Sequence, residues 1–248
     1  MAKEIAKKQS TEVDNYDADM FKGVETGFEG TNSETFRTPF MKILQAMSPE
    51  LKKSDPNFVP GAQMGTFCNS ATKEVHESLD IIVLKVDHSL LVWKPSRGGF
   101  VGRHSKAEEG QLVSSQEGVQ KWDVEGNEVI DTIEFFCMNA NDPSDLFILS
   151  LSKASIKHAK SFATRLRMLK MNNRPVGVSW AGVWNIQVVE ESNEMGSWYT
   201  IGGSPKFERF VSKEEVENFI LPAKEMLKSA VTDYSVVEEV AEEDVKEY

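Results

Sequence analysis

TIEFFCMNANDPSDLFILSLSKASIKHAKSFATRLRMLKM, residues 132–171, carries the pattern that decides the fold class. Two short apolar runs, Thr132–Met138 and Leu146–Leu151, flank the turn-rich stretch NANDPSD. Runs of that length, rich in Ile, Phe and Leu and bounded by Asn, Asp and Pro, predict buried strands. The period then changes. Ile156, Ala159, Ala163, Leu166 and Leu169 recur at helical spacing and predict a helix over 153–171. Ser152 stands at its N-cap position, and Asn172–Pro175 stops it. Downstream, 176–189 and 197–201 predict two more strands joined by ESNEMG. Upstream, strand signals lie at 64–69, 79–86 and 90–94, with the NSATKE turn between the first two.

The order strand, strand, helix, strand, strand, preceded by further strands, predicts a mostly β chain with helices, class α+β. It fits a small β-barrel of the oligonucleotide-binding type, which inserts a helix between strands three and four and presents a concave face to a ligand. Other α+β sheets fit the same order. TPFMKILQAMSPEL adds a predicted short helix, since Phe40, Ile43, Leu44 and Met47 share helical spacing and Pro49 ends the run. Lys213–Leu227 predicts an amphipathic helix. The Gly98–Gly110 segment and the polar 113–129 segment predict loops. The expected domains are therefore a flexible arm over 1–35, one folded body over 36–230 and a disordered acidic tail over 231–248.

Charge supports that division. The chain has formal net charge −11. The first 35 residues hold 4 basic and 8 acidic residues. The last 16, DYSVVEEVAEEDVKEY, hold seven carboxylates and one lysine. The body between is close to neutral, so any nucleic-acid site must be a local patch rather than a property of the whole molecule. Cys68 and Cys137 stand too far apart in sequence for a disulfide framework or a metal spacing, which fits a reducing cytoplasm. The N-terminus has no apolar core of a signal segment, and no run reaches membrane-spanning length. No HxxxH, GxxxxGK[ST] or GxGxxG occurs, and the four histidines neighbour no cysteine pair. The expectation is a non-enzyme with no cofactor and no metal.

The segment LLVWKPSRGGFVGRHSK, residues 90–106, interleaves Trp93 and Phe100 with Lys94, Arg97, Arg103 and Lys106. Flat aromatics to stack on bases, with cations at nucleotide spacing, are what a single-strand binder needs. In a glycine loop those cations would be removable without loss of the fold. Lys153, Lys157 and Lys160 would share the helix face opposite the apolar stripe and wall a basic groove. Trp180 and Trp184, at even strand positions, would point to one face, and either Trp198 or Tyr199 would reach the surface. Trp198 and Lys206 complete the expected nucleic-acid set.

TPFMKILQAMSPEL, MGTFCNSATKEV, IIVLKVDHSLLVWKPSRGGFVGRH, LFILSLSKASIKHAKSF and SWAGVWNIQVVEESNEMGSWYTI together resemble a family of tailed-bacteriophage proteins likened to single-stranded-DNA-binding proteins. The resemblance spans about 36–201. It implies an accessory that coats single strands in phage replication or recombination, in the host cytoplasm. It also implies an acidic tail that competes with DNA and recruits replication or recombination enzymes, through Glu242, Glu243, Asp244, Glu247 and Tyr248. The alternative is an acidic interaction protein: a virion or scaffold component, or a nucleic-acid mimic.

Overall fold

The computed structural model describes residues 39–194 and 196–229. The arm expected over 1–35 lies outside them, as do the tail from 231 on and its five partner-binding residues. In chain order the strands are β1 Met41–Ile43, β2 Phe67–Asn69, β3 Val75–His76, β4 Ser78–Trp93, β5 Phe100–Ser105, β6 Ser115–Glu117, β7 Gln120–Trp122, β8 Glu128–Asn139, β9 Leu146–Ser152, β10 Lys170–Met171, β11 Arg174–Pro175, β12 Gly182–Asn193, β13 Gly196–Ile201 and β14 Lys206–Phe210. The helices are α1 Glu109–Leu112, α2 Ile156–Arg167, α3 Lys213–Glu215 and α4 Leu221–Ser229, with a π turn over Val216–Ile220. The chain is thus mostly β with helices. Among the described residues no helix is long and apolar enough to cross a membrane.

β4 is the spine of the sheet. It pairs with β8 along its length, with β12 at its first half and with β5 at its second. β8 continues to β9, and β12 continues to β13 and β14. The two strands expected at 79–86 and 90–94 are one, interrupted by a register shift between Val83 and Lys85. A bulge of that kind lets a single long strand serve two neighbours and two cores.

The expected closed barrel does not form: the sheet runs as an open path from β13 to β6 among the described residues. The edge between β9 and β13 is instead filled by the N-terminal segment. Phe40 bridges Ile148 of β9 in parallel. Beyond β1, the Gln45 side-chain amide takes the part of a strand, accepting from Tyr199 N at 2.8 Å and donating to Tyr199 O at 2.8 Å. Gly65, at φ +74, lets this segment approach; a Cβ there would fall 2.8 Å from the Tyr199 ring. This pairing explains why Phe40–Met47 is not the expected helix. Its apolar spacing is satisfied by β1, whose partners are β2 and the edge of β9.

The main core lies on the inner face of β4, β8, β9 and β12, where Ile81, Val83, Phe135, Leu149, Trp184 and Ile186 converge. Helix α2 caps it with Ala159, Phe162 and Leu166. The opposite face of the sheet carries a second cluster, Ile82, Leu84, Met138 and Val183, covered by Ile220 and Ala223 of the C-terminal helical segment. Ser212 starts that segment with a complete capping box to Glu215. Trp180 and Trp184 do not share a face. Trp180 sits in a 3-10 turn, Ser179–Ala181, and packs against the second cluster, whereas Trp184 is in the first.

Candidate nucleic-acid interface

β5 and the segment after it do not form the flexible loop expected. Phe100–Ser105 pairs with Ser89–Trp93 of β4, and its cations are spoken for. Arg103 Nε donates to Glu134 Oε2 at 2.9 Å, and its NH2 group to Asp87 at 2.9 Å. Glu134 is 0% exposed and also accepts from Ser89 Oγ at 2.8 Å. Arg103 is therefore the counter-ion of a buried carboxylate, not a removable loop charge. Lys106 Nζ lies 2.8 Å from both Glu109 and Asp131. Lys121 shares the same two carboxylates, and His88 Nε2 meets Asp131 at 2.5 Å. Burial alone lowers the Lys106 pKa, but the hydrogen bonds it donates to Asp131 and Glu109 outweigh it and hold the ammonium above its ordinary value. Burial pushes Asp131 up; the bonds from Lys106 and His88 override it and hold the carboxyl below the usual range.

The aromatics of this region are core. Trp93 is 1% exposed, packed with Phe40, Leu91, Ile130, Phe136 and Ile148. Phe100 meets it edge-on, ring centroids 5.1 Å apart, and is partly buried in the same cluster. Neither ring offers the open face a base would stack on. Lys94 is exposed. Arg97 falls in a 3-10 turn, Pro95–Arg97, where Ser96 has φ 54; the Arg97 side chain lies outside the described residues.

The remaining expected residues are scattered. Lys153 precedes α2 at φ 48, with Glu128 3.7 Å away, and Ser152 makes no side-chain cap. Lys157 pairs with Glu191 at 2.9 Å, and His158 Nε2 also reaches Glu191, at 2.9 Å. The Lys157 hydrogen bond, followed by that of His158, holds the Glu191 carboxyl below its ordinary range. Trp198 stands opposite Glu191 across β12 and β13. It is half-buried, and its indole N–H is buried without a hydrogen-bond partner. Lys206 is exposed on β14 and pairs with Glu208 at 2.9 Å. Only Lys160, exposed on α2, has no ion-pair partner among the described residues within the expected helix face.

Lys160 leads to a surface outside the expected set. Residues 146–189 contain seven Lys and Arg and no Asp or Glu, in a chain of net charge −11. α2 ends at Arg167, and the chain then turns back as the β10–β11 hairpin instead of continuing the helix to 171. Lys160 and Arg167 on α2, with Lys170 and Arg174 on the hairpin, are all exposed. None has an ion-pair partner among the described residues. Arg165 is partly buried, its guanidinium 5.8 Å from the Trp184 ring centroid. Met168 and Met171 are 65% and 45% exposed beside these cations. The missing carboxylates are the sequence signal for this surface, and counting cations alone passes over it. A face whose cations have no counter-ion among the described residues presents a positive potential that favours an anionic ligand.

The family model described as Pam3 phage gp34-like protein matches residues 6–238, and the chain belongs to that family. Comparison with curated proteins and with solved structures returned no match.

Proposed function

Taking membership of a phage protein family as its premise, we propose that this protein binds single-stranded nucleic acid, through the acid-free face of α2 and the β10–β11 hairpin. The observation that carries the reading is the contrast between two sets of cations. Those of β5 and the segment after it are consumed by internal carboxylates, whereas Lys160, Arg167, Lys170 and Arg174 have none among the described residues. Four phosphate contacts account for binding without sequence preference. The connectivity supports an oligonucleotide-binding-type module. β4, β8 and β9 are consecutive neighbours, α2 follows, and β12 returns beside β4 before β13. In that module β1 and Gln45 occupy the gap between the third and fifth strands. The role is a non-enzymatic strand coat in phage replication or recombination, in the host cytoplasm.

Competition between single-stranded and duplex oligonucleotides of one sequence tests this. The wild type is expected to prefer the single strand. The K160Q/R167Q/K170Q/R174Q variant is expected to lose about 100-fold in affinity at 0.1 M salt, whereas K213Q on α3 stays unchanged. Equal affinity of the four-fold variant and the wild type overturns the placement. Absence of oligonucleotide binding by the wild type selects the rival reading, an acidic interaction protein, which draws on the ion-paired cations of β5.

A further inference from the structure

The β10–β11 hairpin carries more than charge. Its two-residue turn, Asn172–Asn173, has φ 51 and 62. Positive φ at both positions is the type I′ geometry, which Asn tolerates better than most residues and which matches the twist of a tight hairpin. The ladder is rooted in the body, since Val176 N donates to Leu169 O at 2.9 Å and Leu169 packs against the main core. From Lys170 to Pro175 every residue is exposed. The register pairs Met171 with Arg174 and Lys170 with Pro175. Directly opposed residues share a face, so a thioether and a guanidinium stand side by side. Met171, Asn172, Arg174, Pro175 and Val176 line a shallow, solvent-open concavity on this hairpin.

An exposed methionine alone is ordinary. Here it stands beside Arg174, which has no ion-pair partner among the described residues, within a segment, 146–189, that contains no Asp or Glu. A polarizable sulfur makes favourable contacts with aromatic rings, and Met is among the apolar side chains that wedge between base steps in nucleic-acid complexes. Charge complementarity selects a polyanion, and the exposed thioether beside Arg174 selects one that carries flat rings.

We propose that the hairpin is a base-insertion site, in which Met171 packs against a nucleobase of the bound strand while Arg174, on the same face of the hairpin, holds the adjacent phosphate. This rests on the nucleic-acid reading above and specifies how a base, rather than only the backbone, is held at that site.

The test compares an oligothymidylate with an abasic strand of equal length and charge, and adds 2-aminopurine at one central position. The wild type is expected to bind the base-bearing strand about tenfold more tightly than the abasic strand. It should also brighten 2-aminopurine by separating it from its neighbours. Met171→Ser, which removes an exposed side chain and leaves the ladder intact, is expected to bind both strands alike with no brightening. Arg174→Gln is expected to weaken both strands equally and to keep the wild-type brightening at saturation. Wild-type binding that ignores the bases, or unchanged discrimination in Met171→Ser, overturns base insertion and leaves the phosphate reading standing. No binding to either strand overturns both.

Discussion

Replacing Arg103 by Ala leaves Glu134 as a buried carboxylate held, among the described residues, by Ser89 Oγ at 2.8 Å. Removing one partner of a buried ion pair costs about 3–5 kcal/mol, because the other charge stays desolvated. The Arg103 side chain keeps 31% of its exposure, so water reaches the site once it is truncated and the lower end applies, about 3 kcal/mol. For a domain of roughly 200 residues that corresponds to a fall of about 6–12 °C in Tm. Urea unfolding followed by tryptophan fluorescence measures it directly as a shift in midpoint at constant slope. The control is Arg103→Leu with Glu134→Leu, which removes both charges and is expected to be more stable than Arg103→Ala. A single variant within about 0.5 kcal/mol of the wild type, the range of an ordinary surface substitution, would refute the assignment of Arg103 as a structural counter-ion.

Trp93→Ala is expected to destabilise by about 3–5 kcal/mol, since the ring is core; a folded, equally stable variant in thermal melts contradicts that. Glu50→Ala removes a buried ion-pair partner of Lys42, whose Nζ lies 3.1 Å from Glu50 Oε1 with both side chains buried. A loss of about 3 kcal/mol or more in urea unfolding is expected, against little change for the exposed pair Lys228 and Glu225. Glu215 is held down to about 2 by Arg209, whose bond outweighs partial burial, and by Ser212. A depressed carboxyl pKa contributes stability above its unfolded value near 4.5 that is lost as pH falls toward 2. Thermal melts from pH 5 to pH 2 should show this loss in the wild type and a shallower one in Glu215→Gln. Identical pH profiles would remove Glu215 as a source of acid sensitivity.

Where the sequence spoke plainly, one physical demand dominated. Thr132–Met138 and Leu146–Leu151 are apolar because both faces of β8 and β9 are covered, one by α2 and the other by the Phe40 and C-terminal clusters. The stripe of α2 was legible for the same reason. Phe40–Met47 misled because four apolar residues fit a helix as well as a strand, and only the distant edges of β9 and β13 decide between them. β5 was hidden because its alternation is carried by Gly102, Arg103 and His104 rather than by apolar residues, and Glu134, which pairs Arg103, lies 31 residues away. The cations of residues 90–106 looked available because a list of basic residues does not show their partners. In sequence Asn172–Asn173 reads as a helix stop, but it is the turn of the β10–β11 hairpin, and α2 ends earlier, at Arg167.

The salt dependence of binding to an oligothymidylate tests the central claim most directly. Four neutralised phosphates on a single strand give a slope of log Kobs against log[salt] of about −3. The account predicts that slope for the wild type, and a slope near zero for the variant lacking Lys160, Arg167, Lys170 and Arg174. The same slope in both proteins, or no measurable binding by either, would contradict it.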